Sequence, residues 1–506
     1  MDRDQMRDSA DEVAAARYDV LILGGGVAGC VLAARLSENP DRSVCLVEAG
    51  PDYGADRDAW PPTVVDARVL SRDDVWEKGA APYRIRARIL GGSSCVNGCW
   101  HAWGSPSDYA DWAQAGGPAW SAAGLEPFRR AAARKMRLRT VPEREMSVWS
   151  TAALAAADDL GYPRLPDLAV PTTGPGCGCP QVNALDGLRW NAAFAYLGPA
   201  RRRPNLTVLT GATADRLVVT RGAVQGVELD LAGQRIRVAA DRYVLCCGAF
   251  GSPAVLMRSG IGPPEHLAAV GIRTEVGLPG VGANLADHPG VFVPLAPSAE
   301  LNAALAAKDT AGDLYVSRVA IRAASAYCAD GAWDLHVLPI AGPPLFGHLP
   351  PGEYEAGICA FVVKPVSRGR VRLRAADPAA PLDIDPEFLS DPDGRDVSVL
   401  RTGLAIAGEL IASRPLKSLA SPRWSGAPED LSDGDLRARL GTYWHPVGTC
   451  AMGTDSDPAV VVDGAARVHG LTNLHVVDAS ILPTVPAANT QLSVLAVAEM
   501  LADALS

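Results

Sequence analysis

The chain has 506 residues, 48% of them hydrophobic and 21% charged, too many for one small domain and unlike a disordered polymer. A formal net charge of −10 sets it against nucleic acid as a main partner, because a phosphate backbone would be repelled. No apolar run reaches the ~20 residues that span a bilayer, and the opening MDRDQMRDSADEVAAAR lacks the apolar core of a secretory signal.

Residues 1–16 read as a flexible lead, and the first predicted elements after them form a βαβ unit. Residues 18–23 (YDVLIL) are a short apolar run of the kind that makes a buried parallel strand. They enter Gly24-Gly25-Gly26-Val27-Ala28-Gly29, then a helical stretch at 30–36, then a second strand at 43–47 closed by Glu48. Gly24-x-Gly26-x-x-Gly29 removes side chains where backbone must approach a pyrophosphate, and it aims a helix N-terminus at negative charge. A purely structural glycine turn would look the same in isolation. The strand before it, the helix after it and an acid at the end of the second strand, where ribose hydroxyls bind, point to a dinucleotide.

Residues 60–200 are rich in Pro, Gly and Trp and weakly periodic, which predicts irregular structure with a few helices, one at 121–136. Strand-like runs broken by glycine fill 206–245. Between 291 and 440, strands at 335–340, 357–363 and 369–374 alternate with a long helix at 393–412. The link Pro365-Val366-Ser367-Arg368-Gly369 predicts an antiparallel hairpin between the last two of those strands. This middle piece differs in character from the βαβ start and is assigned to a second domain.

The eleven cysteines show no zinc-like spacing and read as small hydrophobes. Reduced thiols in a large chain predict the cytoplasm. Of the eight histidines, His101, His266, His288, His336, His348, His469 and His475 read as structural or solvated. His445 is the exception, for the reason that follows.

A second glycine/serine loop, Leu90-Gly91-Gly92-Ser93-Ser94-Cys95-Val96-Asn97-Gly98, offers backbone donors to an anion. Downstream come Gly248-Ala249-Phe250-Gly251-Ser252-Pro253, then Val281-Gly282-Ala283-Asn284-Leu285-Ala286-Asp287-His288-Pro289. His445-Pro446-Val447-Gly448-Thr449 and Val476-Val477-Asp478-Ala479-Ser480 follow, with Asn489-Thr490 beyond them. In these motifs and their order, from about residue 17 to 504, the chain resembles the glucose-methanol-choline (GMC) oxidoreductase family.

The resemblance implies an α/β FAD-binding domain, Rossmann-like and of GMC type, with a second α+β substrate domain built on an antiparallel sheet. The FAD-binding domain would be discontinuous, over 17–105, 200–290 and 441–506. Residues 106–199 and 291–440 would form the substrate domain and connecting elements. FAD would be held by Gly24, Gly26, Gly29, Glu48, Ala49, Gly91, Gly92, Ser93, Asn97, Ala214, Asp478, Ala479 and Thr490. In some relatives a histidine in the second loop carries the flavin covalently; Val96 stands there, so the implied FAD is non-covalent.

The implied catalytic pair is His445 and Asn489. An alcohol gives up hydride once its hydroxyl proton leaves, and a histidine is a base suited to neutral pH. An amide cannot take that proton, but it can hold the alcohol oxygen and stabilise developing charge. The resemblance thus implies oxidation of a CH–OH group with hydride passing to flavin N5. The acidic balance, the short middle segments and Asn489 favour a small polar primary alcohol, cationic amino sugars and choline-like compounds included. A cyanohydrin lyase on the same FAD-containing fold is the alternative. Substrate identity, electron acceptor and oligomeric state stay open.

Overall fold

A computed structural model describes residues 13, 15–77, 81–171, 174–315, 317–343 and 352–506. Most of the predicted lead at 1–16, and His348, lie outside the described residues.

The βαβ start is present as Arg17–Leu23, the helix Val27–Leu36 and Val44–Glu48. The two strands pair in parallel, and Arg17–Leu23 is flanked on its other side by the second half of Gln234–Leu245. Leu206–Thr210 and Leu474–Val476 complete the parallel part at its two ends. Buried on both faces, these strands need no alternation, which is why VCLVE is entirely buried. The first half of Gln234–Leu245 leaves the parallel sheet and joins Ala223–Leu231 and Ala212–Thr220 in an antiparallel ribbon. Its turns fall at Gly222 and Gly233, both at positive φ. The sheet is therefore mixed.

A second, wholly antiparallel sheet runs Ala420–Pro422, Pro289–Pro297, Glu355–Val362, Leu335–Gly342, Ala320–Ala323, Gly176–Gly178, with Leu440–Thr442 also on Pro289–Pro297. Both of its faces are covered, and the period of two sorts its residues between them. Leu335, Val337, Ile358, Ala360 and Val362 pack under the helix Arg395–Ala412. Gly403 permits the close approach, since a Cβ there would lie 2.9 Å from Leu335. Leu338, Ile340, Cys359 and Phe361 face the other way, toward Trp333, Tyr443, Ala487 and Ala488. His336 and Arg322 fall on that second face by the same alternation.

The predicted helix at 121–136 is Ala122–Lys135, started by a Ser121 side chain that accepts from Gly124 N. One expectation fails. The strand Glu355–Val362 does not form a hairpin with Arg370–Arg372; it pairs with Pro289–Pro297 and Leu335–Gly342, while Arg370–Arg372 pairs with Asp383–Asp385. The linking segment is drawn away because the N–H groups of Val366 and Ser367 donate to the Asp396 carboxylate, each at 2.8 Å. Two charge-assisted bonds outweigh a local turn.

Candidate active site

The three glycines of the first loop do different work. Gly24 sits at φ +102 where a Cβ would lie 2.5 Å from the Cys246 carbonyl oxygen, and a Cβ on Gly29 would run into the Gly24 carbonyl. Gly26, at the helix N-cap, is open: nothing but Gly92 Cα comes within 4 Å of its would-be Cβ. This is the division expected when the first glycine makes the turn, the third packs helix on strand, and the second admits a pyrophosphate.

The second glycine loop abuts the first. Gly91 N donates to Gly25 O at 2.7 Å, and a Cβ on Gly92 would lie 2.7 Å from Gly26 Cα. Two helix starts, Val27–Leu36 and the short Gly92–Cys95 turn, thereby border one cradle of backbone. Ser93 is exposed there. Glu48 lies at its edge, its carboxylate accepting from Gly25 N (2.8 Å) and Gly50 N (2.7 Å), with Ala49 half-buried beside it. Gly211 N donates to Gly50 O at 3.1 Å, joining the ribbon that bears Ala214 to the same turn. The Ala214 carbonyl accepts from Arg258 at 3.1 Å.

The C-terminal residues close in from another side. Asn97 donates to Gln491 in the first turn of Thr490–Ala504, so Asn97 and Thr490 belong to one corner. Two buried nitrogens there and nearby, Gln491 Nε2 and Arg86 Nη2, have no partner of their own. An open glycine cradle, an acid at its edge and unspent donors fit a flavin dinucleotide. Asp478 is less free, since its carboxylate accepts from Gly248 N (2.8 Å), Ser252 Oγ (2.6 Å) and Ser480 N (2.8 Å). It secures the start of the helix Gly248–Arg258, while the carbonyl of Ala479 accepts from Gly448 N.

His445 and Asn489, 44 positions apart, do meet: Asn489 Nδ2 lies 3.3 Å from His445 Nε2. Asn489 is the N-cap of the C-terminal helix. Its loop is pinned by Ala487, whose N–H donates to Asp108 (2.8 Å) and whose carbonyl accepts from Trp333 Nε1 (2.8 Å). Tyr443 packs 4.3 Å from the His445 ring and stacks on Phe361 at 4.3 Å, making a flat aromatic wall.

Two histidines read from the sequence as structural or solvated lie against this pair. His288 Nδ1 is 3.0 Å from His445 Nδ1, and His336 lies 6.2 Å from Tyr443, ring to ring. The pairing with His288 comes from a short antiparallel register. Ala286 and Val447 exchange backbone hydrogen bonds, so His288, two residues after Ala286, and His445, two residues before Val447, fall opposite one another. Tyr443 and the positive-φ Trp444 bulge out before the ladder resumes at Pro289 and Thr442. Asp287 clamps the arrangement, accepting from His288 N (2.7 Å), His445 N (2.8 Å) and Thr442 Oγ1 (2.7 Å). The motif Asn284-Leu285-Ala286-Asp287-His288 signalled family; that its last two residues touch His445 needed the fold.

Burial holds the His445 ring well below the usual histidine range, and the facing His288, His336 and Arg86 add to it. Burial pushes His288 down to about 3. Both rings are neutral at neutral pH. Burial likewise raises the carboxyls of Glu48, Asp287 and Asp478. Among the described residues no helix is long and apolar enough to cross a membrane.

A family profile described as GMC oxidoreductase matches residues 18–290, and its C-terminal companion matches 365–498. The chain is 33% identical to a 5-(hydroxymethyl)furfural oxidase of Methylovorus sp., over 96% of this chain and 98% of that one. It is 33% identical to an oxygen-dependent choline dehydrogenase of Chromohalobacter salexigens, over 97% and 95%. The solved structure of a pyridoxine 4-oxidase from Mesorbium loti superposes with a TM-score of 0.81 at 30% identity, covering 96% of this chain and 99% of that one.

Proposed function

The chain belongs to the GMC oxidoreductase family, FAD-dependent enzymes that oxidise alcohols, and from that premise we propose the residues that do so here and the alcohol they take. The observation that carries the reading is the 3.3 Å approach of Asn489 Nδ2 to His445 Nε2 on an aromatic wall. A hydroxyl entering between them donates its proton to Nε2 and accepts a hydrogen bond from the amide. The amide then steadies the negative charge that grows on the alcohol oxygen.

Bound FAD would supply the acceptor for the hydride of the CH–OH group, which carries both electrons, while the hydroxyl proton goes to His445. Gly26 and Ser93 would face its pyrophosphate, Gly24, Gly29, Gly91 and Gly92 would shape the two loops that form the cradle, and Glu48 would bind its ribose. Asn97, Ala214, Asp478, Ala479 and Thr490 complete the binding set. Val96 has no nucleophilic atom, so the cofactor is held without a covalent bond.

The substrate is a small polar primary alcohol. Of the groups that act on His445, Arg86 carries a positive charge while burial keeps His288 and His336 neutral, which favours a neutral hydroxymethyl compound over a cationic one. The names of the furfural and pyridoxine oxidases to which the chain is similar describe such compounds. The test is an anaerobic screen of alcohols for loss of the flavin's visible colour, followed by admission of air. Bleaching by hydroxymethyl-aromatic alcohols ahead of choline and amino sugars is expected. Cleavage of a cyanohydrin with no bleaching by any alcohol would instead support a lyase.

A further inference from the structure

The site contains a second histidine that the proposed chemistry does not consume, and its two ring nitrogens face unlike partners. His288 Nε2 lies 3.1 Å from the carbonyl oxygen of Pro486, and its Nδ1 lies 3.0 Å from His445 Nδ1. A carbonyl can only accept, so the His288 proton belongs on Nε2. A neutral ring with its proton on Nε2 has a bare lone pair on Nδ1. The proton between the two rings must then be carried by His445 Nδ1, and His445 Nε2 is left bare.

The other end of the chain demands the same answer. Asn489 presents its amide nitrogen to His445 Nε2 at 3.3 Å, and an amide nitrogen can only donate. Two one-way groups, a carbonyl at one end and an amide NH₂ at the other, thus enforce one tautomer of the ring between them. Both sit on one four-residue loop, Pro486 to Asn489, which Asp108 and Trp333 tie down. Asp287 fixes the spacing of the two rings through their backbones.

We propose that His288 is a positioning residue that sets the tautomer of His445, reading the Pro486 carbonyl and keeping Nε2 of His445 unprotonated and aimed at the alcohol. No net proton transfer or redox step is involved: His288 holds its own proton throughout, and a hydrogen bond from His445 Nδ1 to His288 Nδ1 persists. The inference rests on His445 being the base. Which ring nitrogen of a histidine is protonated is ordinarily set by the bond the other one makes; here the bonding partner is itself a histidine whose tautomer is set from backbone.

The test is a two-bond proton–nitrogen correlation spectrum of the FAD-loaded enzyme labelled with ¹⁵N-histidine. Resonances are assigned by their loss in His445→Gln and His288→Phe. The expected spectrum shows His445 protonated on Nδ1 and His288 protonated on Nε2. In His288→Phe, where no acceptor remains, His445 should shift toward the Nε2-protonated form, and anaerobic flavin reduction should slow by about 10- to 100-fold. His288→Asn, which returns an acceptor oxygen near the Nδ1 position, should recover most of that loss. A parent His445 protonated on Nε2 overturns the proposal, even if the variants fold poorly. So does an unchanged His445 tautomer in a folded, yellow His288→Phe. If the spectrum is as expected but His445→Gln reduces its flavin at the parent rate, the base assignment falls and the tautomer control stands.

Discussion

The rings of His288 and His445 meet edge to face, their centroids 5.2 Å apart and their planes at 82°, with the two Nδ1 atoms turned toward each other. Protonating either ring is costly in that setting, because both are buried and His288 adds to the cost at His445. The geometry gives the base a fixed direction.

Removing the base should cost turnover and spare the cofactor. His445→Ala is expected to lose about 10²–10⁴-fold in the anaerobic rate of flavin reduction. Its FAD content should match the parent, since the glycine loops hold the dinucleotide. Asn489→Ala should lose less, because it removes one hydrogen bond and leaves Nε2 in place. Stopped-flow reduction by one alcohol decides the order.

The pH profile should carry the mark of a buried base. His445 must be unprotonated to act, and its pKa lies well below the ordinary value of 6.5. The ring is then already deprotonated at neutral pH, and kcat/KM should fall only as pH drops through the lowered value. An acid limb centred at or above the ordinary histidine range would contradict the burial, and the limb should vanish in His445→Ala.

The cradle predicts a selective loss of FAD. Gly92→Ala places a methyl 2.7 Å from Gly26 Cα at a φ of +56, which strains the backbone and pushes the two loops apart. Gly98→Ala, in the same segment but with nothing within 4 Å, is the control. The first variant should purify with its FAD depleted, by about 10-fold or more in affinity, and the second should stay yellow.

Denaturation of the parent should release its flavin. With Val96 in the second loop, acid precipitation is expected to leave free FAD in the supernatant. Flavin that stays with the pellet would show a covalent link at some other side chain.

Asp287 should matter to stability as well as to rate. Asp287→Ala strands the buried backbone N–H of His288 and the partly buried one of His445, at about 1–3 kcal/mol for the buried one and less for the other. Chemical unfolding should show a loss of about 3 kcal/mol. Asp287→Asn, which keeps one acceptor oxygen, should lose less.

Much of this enzyme is legible from residue order. A glycine-rich turn between an apolar strand and a helix can hardly do anything but present backbone to an anion, and the observed roles of Gly24, Gly26 and Gly29 follow from local sterics. The helix starts at Ser121 and the turns at Gly222 and Gly233 are likewise local, and a chain carries its own local rules. The hairpin expected at 365–369 went wrong because Asp396, some thirty residues away, offers the segment a better partner than the adjacent strand. His288 looked like an ordinary turn histidine for a related reason. Its function depends on standing opposite His445, 157 positions later, and on a carbonyl at Pro486. Such a role arises from register between distant segments and from hydrogen-bond direction in a buried space, quantities that exist only once the chain has closed on itself.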